Sequence, residues 1–271
     1  MFKIKVGGVP EHFNYPWLKC IDDNLFEKNQ LKVEWIDCHG GTGEMASSLD
    51  SGEIDLAIML TEGCIKEIES GKDFTIVQKY IESPLLWGIH VDAHSTYRNI
   101  EDLEGKTAAI SQYNSGSHLM THVLADREDW DLDKLNFKVC KTLNGAIKAL
   151  KNKKADYLMW ERFTTKPYVD QNHLSHLGNC KTPWPCFVIA AKNKYYFEHK
   201  LQIDKMLDVV NFQISSLKKD QNLSDILSQK YEIDYNDIKE WLSITEWSNS
   251  KLKSETMEDL KLKLKKYKII E

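Results

Sequence analysis

The chain has 271 residues, 42% of them hydrophobic and 28% charged, and a formal net charge of −5. That balance excludes an intrinsically disordered chain and offers no basic face for nucleic acid. No apolar run approaches the ~20 residues of a membrane-spanning helix, and the length suits one large or two small domains.

Apolar periodicity and turn residues predict the elements in chain order. A first strand around Lys3–Val6 enters the loop Gly7-Gly8-Val9-Pro10. A helix over 17–28 follows, then a strand at Val33–Ile36. The loop Gly40-Gly41-Thr42-Gly43 opens a short amphipathic helix, and a buried strand runs over Leu56–Leu60. A short helix at 65–70 closes on Gly71, and strands follow at 74–80 and 85–91. The second half begins near 92–99 with a glycine-stopped helix, and Thr107–Ile110 is its first strand. The loop 111–117 leads into a helix from His118. Then come a strand at 137–140, a helix at 145–151, a strand at 157–160 and an apolar crossing at 186–191. Helices around 194–218, 222–230, 234–242 and 255–267 are expected to pack on the first half. The locally basic stretch 261–268 alternates with Leu262, Leu264 and Tyr267 and reads as the solvated side of an amphipathic segment.

One pattern occurs twice. Gly41-Thr42-Gly43 opens a helix that runs into Ile54-Asp55-Leu56-Ala57-Ile58-Met59, and Asn144-Gly145-Ala146 opens one that runs into Ala155-Asp156-Tyr157-Leu158-Met159-Trp160. Each copy ends on an acid, Glu62 or Glu161, and the two are read as equivalent. The apolar runs 85–91 and 186–191 read as two crossings that form a hinge. This places lobe 1 at 1–89 plus 190–271 and lobe 2 at 90–189.

These residues resemble the type-2 periplasmic binding protein fold, within the group related to nitrate, sulfonate, taurine and thiamine-precursor binding proteins. The resemblance rests on 41–45, 52–57, 103–106 and Gly116-Ser117, and covers the chain to about residue 192. The segments 110–120 and 160–167 resemble an uncharacterised branch with fungal intracellular and bacterial members. The resemblance implies an α/β Venus flytrap. Each lobe would be a mixed, mainly parallel sheet flanked by helices, with a two-strand hinge and a small ligand in the cleft. A substrate-binding component of an ABC transporter would also have a permease as partner.

Ligands of open α/β sheets bind at strand C-terminal ends, where helix N-termini offer free N–H groups. The candidate ligand-binding residues are therefore Glu11, His12, Phe13, His39, Gly41, Thr42, Gly43, Thr61 and Glu62 in the first half. Trp87, Tyr113, Ser115, Gly116, Ser117, Trp160, Glu161 and Trp184 complete the set. Aromatic rings and acids outnumber cations there, with Arg162 the one clear cation. That mixture suits a small polar, nitrogen-heterocyclic ligand whose N–H groups need acceptors. His90, His94 and His122 are placed outside the site.

The alternative is a small-metabolite enzyme on the same fold, using His12 with Glu11 or His118 facing Glu161 as an acid–base pair. A third is a sensor whose closure a partner protein reads. No metal, cofactor or nucleic-acid motif is visible, and a monomer is expected. The six cysteines lack CxxC spacing and suit free thiols in a reducing compartment. Nothing resembling a secretory leader precedes the first strand, so a cytoplasmic protein is expected. The alternative is a periplasmic protein or lipoprotein with its leader removed.

Overall fold

The computed structural model describes Met1–Glu271. The chain forms two compact units. Unit 1 is Met1–Ser83 with Trp184–Lys261, and unit 2 is Pro84–Pro183 with Leu262–Glu271.

Unit 1 is built on a five-stranded sheet. Its strands are β1 (Phe2–Gly8), β2 (Leu31–Asp37), β3 (Leu56–Leu60), β4 (Phe74–Ile81) and β10 (Phe187–Lys192), in the order β2-β1-β3-β10-β4. β1 runs parallel to β2 and β3, whereas β10 is antiparallel to β3 and β4. The helices are α1 (Tyr15–Asp22), α2 (Leu25–Lys28), α3 (Gly41–Ser51), α4 (Thr61–Glu69), α8 (Asn193–Glu198), α9 (Lys200–Leu217), α10 (Leu223–Tyr231) and α11 (Tyr235–Ile244). Met45, Ala46 and Leu49 of α3 pack on Ala57 and Met59 on one face of β3, and Leu56 and Ile58 are buried on the other, so the strand is apolar without interruption.

Unit 2 has the same architecture. Its strands are β5 (Leu86–Asp92), β6 (Thr107–Ile110), β7 (Asn136–Val139), β8 (Tyr157–Glu161) and β9 (Leu174–Lys181), in the order β7-β6-β8-β5-β9. β6 is parallel to β7 and β8, and β5 is antiparallel to β8 and β9. The flanking helices are α5 (Gly116–Arg127), α6 (Leu143–Lys151) and α7 (Arg162–Asp170). The last helix, α12 (Ser254–Lys266), starts in unit 1 and ends in unit 2.

The internal repeat has a structural cause in its aspartates. The Asp55 amide donates to Lys5 O at 2.9 Å, and its carboxylate accepts from the Lys5 amide at 2.7 Å. Asp156 makes the same pair with Thr107, at 2.8 and 2.9 Å. Each aspartate fixes the register of the third parallel strand against the first, in β1–β3 and in β6–β8.

Several boundaries differ from the sequence reading. The helix expected over 17–28 is two, because Asn24 takes a left-handed φ of 54°. The helix expected at 65–70 starts at Thr61, directly on the end of β3. The helix expected over 194–218 breaks at His199.

The apolar runs 85–91 and 186–191 are strands of the two sheets. β5 lies inside the unit 2 sheet and β10 inside the unit 1 sheet, hydrogen-bonded on both sides. The chain passes between units just before them, at 83/84 and 183/184 rather than 89/90 and 189/190. Residues 262–271 go with unit 2, not with the first lobe. There Tyr267 Oη donates to Asp126 at 2.8 Å and Lys268 pairs with Asp133 at 2.8 Å. No helix is long and apolar enough to cross a membrane.

Candidate functional site

In each unit the parallel strands end on one rim, and the antiparallel strand begins there. The unit 1 rim holds the ends of β1 and β3, the loop after β2, and Trp184–Cys186 leading into β10. The unit 2 rim holds the ends of β6, β7 and β8 and the start of β5.

On the unit 1 rim, α3 and α4 begin side by side. Thr42 Oγ1 accepts the Leu60 amide at 3.3 Å. The Thr42 methyl packs over Gly63, where an added Cβ would lie 2.4 Å from Thr42 Cγ2. Gly41 takes φ +66° to make the tight entry into α3, and Gly43 faces open space. Thr61 is fully buried; its amide donates to Cys186 O at 2.9 Å, while its hydroxyl has no partner.

Glu62, in the first turn of α4, is 4% exposed. Its Oε2 accepts the Trp184 indole N–H at 2.8 Å, and its Oε1 is buried without a partner. Burial pushes its carboxyl up to about 7, against smaller lowering by its own backbone amide and Trp184. Trp184 is therefore not a free stacking platform: it is buried with its N–H committed to Glu62.

His12 and Phe13 are drawn into aromatic packing. His12 meets Trp241 edge-on at 4.2 Å and stacks on Phe13 at 4.9 Å, with its Nε2 unpartnered. Burial pushes its imidazole down to about 3, so it is neutral at physiological pH. Phe13 O accepts from Tyr80 Oη at 2.7 Å and Trp247 Nε1 at 3.2 Å, which anchors the loop after β1. Glu11 is half-buried, and His39 is exposed.

On the unit 2 rim, Ser115 caps α5: its hydroxyl accepts the His118 amide. Ser117 Oγ accepts the Ser111 amide at 2.9 Å and lies 3.1 Å from Ser115 Oγ. The Gly116 and Ser117 amides belong to the first turn and have no carbonyl to meet within the helix. Trp87 packs on Gly116, where an added Cβ would lie 2.9 Å from Trp87 Cη2. The Trp87 ring is 7% exposed and its indole N–H has no partner. The Trp87 ring thus lies on the positive end of a 12-residue helix.

Trp160 and Glu161 carry structural contacts, and Tyr113 stays exposed. Trp160 packs against the core of unit 2, beside Ala146, Leu150 and Leu158. Tyr113 is 59% exposed and sits edge-on to His118. Glu161 is the N-cap of α7, with Oε2 accepting the Thr164 amide at 2.7 Å and hydroxyl at 2.8 Å. Its carboxyl is raised by burial and lowered in part by those bonds.

The equivalence of Glu62 and Glu161 is off by two residues. Counting from Asp55 and Asp156, Glu161 matches Leu60, and both are N-caps; Glu62 matches Phe163. The acid–base pair of His118 and Glu161 does not assemble either. His118 packs on Phe137 at 4.6 Å and His122 at 4.7 Å, and its Nδ1 accepts the Asn114 amide. Its imidazole is pushed down to about 4 by burial. His90 is a buried group whose Nε2 meets Thr165 Oγ1 at 3.2 Å. No cluster of three His, Cys, Asp or Glu side chains is arranged to hold a metal.

The sheet orders and helix-capped rims match known proteins. The Candida albicans CA3427 gene product is described as defining a new family with the generic periplasmic binding protein fold. It is 26% identical, with a TM-score of 0.88, over 100% of this chain and 91% of that one. The fold is that of the type-2 periplasmic binding proteins. Residues 87–180, most of unit 2, match the family model described as Ca3427-like PBP. The alkanesulfonate-binding protein SsuA of Xanthomonas axonopodis pv. citri, solved with MOPS, shares the binding-protein fold at 14% identity. Its TM-score is 0.82 over 100% of this chain and 95% of that one. The Escherichia coli periplasmic aliphatic sulphonate binding protein SsuA is 16% identical, with a TM-score of 0.78 over 100% and 94%. No curated protein matches.

Proposed function

We propose that this chain is a solute-binding protein that takes a small polar ligand at its strand-end rims. The observation that carries the reading is the start of α5. The first-turn amides of Gly116 and Ser117 have no carbonyl to meet within the helix, and the Trp87 ring, whose buried indole N–H has no partner, packs on Gly116. Buried donors are normally satisfied, and a ligand oxygen or ring nitrogen would satisfy these. The binding proteins of the same fold support a binder over an enzyme. The buried, unpartnered Oε1 of Glu62 on the unit 1 rim supports a ligand with nitrogen in it.

Replacing Trp87 with Phe removes the indole N–H and also the distal ring atoms that lie on Gly116. Loss of one such bond is worth ~1–3 kcal/mol, so affinity should fall roughly 5- to 150-fold, with a modest drop in the ligand-free melting temperature from the smaller ring. Native mass spectrometry against a metabolite library supplies the ligand and the two affinities. Equal affinity for Trp87→Phe and the unaltered protein would remove Trp87 from the site.

The compartment we propose is a reducing one, and the role an intracellular carrier or sensor, with transport through a permease as the competing role. All six cysteines are free, and five of them are buried. Thiol titration of the denatured, unreduced protein should count six; a count of four means a disulfide and an oxidising compartment.

A further inference from the structure

We propose that Glu62 reads an amine- or amidine-type nitrogen on the ligand. The proposal rests on the solute-binding reading and adds the chemical class at the unit 1 rim. Carboxyl groups are rarely buried unless paired. Glu62 is buried, and the groups acting on it are its own backbone amide and the Trp184 indole; no charged side chain bears on it. Trp184 holds Oε2 in place, which fixes the direction of Oε1. Oε1 has no partner, and neither has the hydroxyl of the adjacent Thr61. The first turn of α4 thus carries two buried oxygens without partners, one of them carboxyl.

Two ligand chemistries could answer that pair. A ligand carbonyl would accept a proton-bearing Oε1 in an ordinary neutral hydrogen bond. A ligand ammonium or amidinium would meet the carboxylate in a charge-assisted bond of about twice the strength. The cationic ligand also offsets the burial of the charge, which no group of the protein does. On capture the carboxyl proton leaves to water and the ligand nitrogen keeps its own. Binding is then linked to pH: below about 7, where the empty site holds its proton, affinity should fall toward tenfold per pH unit.

The Trp184 indole N–H is a built-in reporter, because it touches Glu62 directly. The experiment is a two-dimensional NMR titration of the full chain with benzamidine and 2-aminopyrimidine, and with benzenesulfonate as the anionic control. The Trp184 indole signal is assigned from Trp184→Phe. At pH 8 benzamidine should shift it saturably, benzenesulfonate should not, and Glu62→Gln should weaken the benzamidine response about 10- to 150-fold. No shift with either nitrogen probe overturns the proposal, as does an equal shift with benzenesulfonate or an undiminished response in Glu62→Gln. If the native mass spectra show a ligand that binds the unaltered protein and Glu62→Gln alike, solute binding stands and this inference falls. If they show none, the solute-binding reading falls with it.

Discussion

The two units share one frame and finish their third parallel strand differently. In unit 1, β3 ends on Leu60, which caps α4 without a side-chain bond, and the acid follows two residues later inside the helix. In unit 2, β8 ends on Glu161, whose carboxylate caps α7 through Thr164. The first arrangement leaves a buried carboxyl oxygen without a partner; the second uses the acid to satisfy the helix start. A repeated sequence therefore preserves the register of strands and helices without preserving the work of the acids at their junctions. Buried indole donors do not follow that contrast: Trp241 of unit 1 and Trp87 of unit 2 both lack a partner, while Trp184 and Trp247 of unit 1 donate to Glu62 and to Phe13 O.

The largest expected effect is the pH dependence that Glu62 gives to stability. The folded-state carboxyl of Glu62 is raised from 4.5 to about 7, so the folded chain holds a proton there that the unfolded chain has lost. Its contribution is complete below about 4.5, is lost as pH rises to about 7, and is flat above. At 1.36 kcal/mol per unit the total is about 3 kcal/mol. Denaturant melts of the ligand-free protein between pH 4.5 and 8 should show this slope, and Glu62→Gln should flatten it. An unchanged slope would mean that Glu62 is solvated.

A second contrast lies in the helix starts. Gly43 and Gly145 each occupy the third helical position, of α3 and α6. A Cβ at Gly145 would lie 2.1 Å from the Cys140 carbonyl oxygen, while one at Gly43 would meet nothing within 4 Å. Gly145→Ala should destabilise by ~1–3 kcal/mol, because backbone must shift. Gly43→Ala should be neutral or stabilise by up to ~1 kcal/mol through helix propensity. Thermal melts of the two variants check the ordering, and equal losses would undo the distinction.

A third, smaller effect concerns Glu161 alone. Glu161→Ala should cost ~1 kcal/mol as a lost N-cap, and Glu161→Gln less, since the amide oxygen can still accept from Thr164. Loss of ligand affinity in Glu161→Gln with the melting temperature unchanged would restore Glu161 to the binding site.

Much of the frame was legible in the sequence because local patterns encode it. The apolar run of β3 and the glycine-led helix starts each follow from short-range chemistry, and Asp55 and Asp156 stand out by their repetition. The two-lobed, mixed-sheet architecture followed from their repetition. What escaped depends on contacts distant in sequence. β9, with Ser175, His176, Gly178 and Asn179, has no strand-like alternation and is held by pairing with β5. The allegiance of residues 262–271 is set by Asp126 and Asp133, far upstream. Trp184 and Glu62 are 122 residues apart, so their bond could not be read from either segment. Among the candidate residues, the Ser115–Ser117 helix start was legible from its small polar residues. The commitment of Trp160 to the core was not, since an apolar strand end gives no sign of which face a ring will take.

The most direct measurement of the central claim is native mass spectrometry of the full chain with a metabolite library, run on the unaltered protein, Trp87→Phe and Glu62→Gln. The account predicts at least one low-mass compound bound to the unaltered chain, with both substitutions lowering its occupancy and neither unfolding the protein. A chain that retains no compound across the library, or one whose ligand binds all three proteins equally, would contradict it.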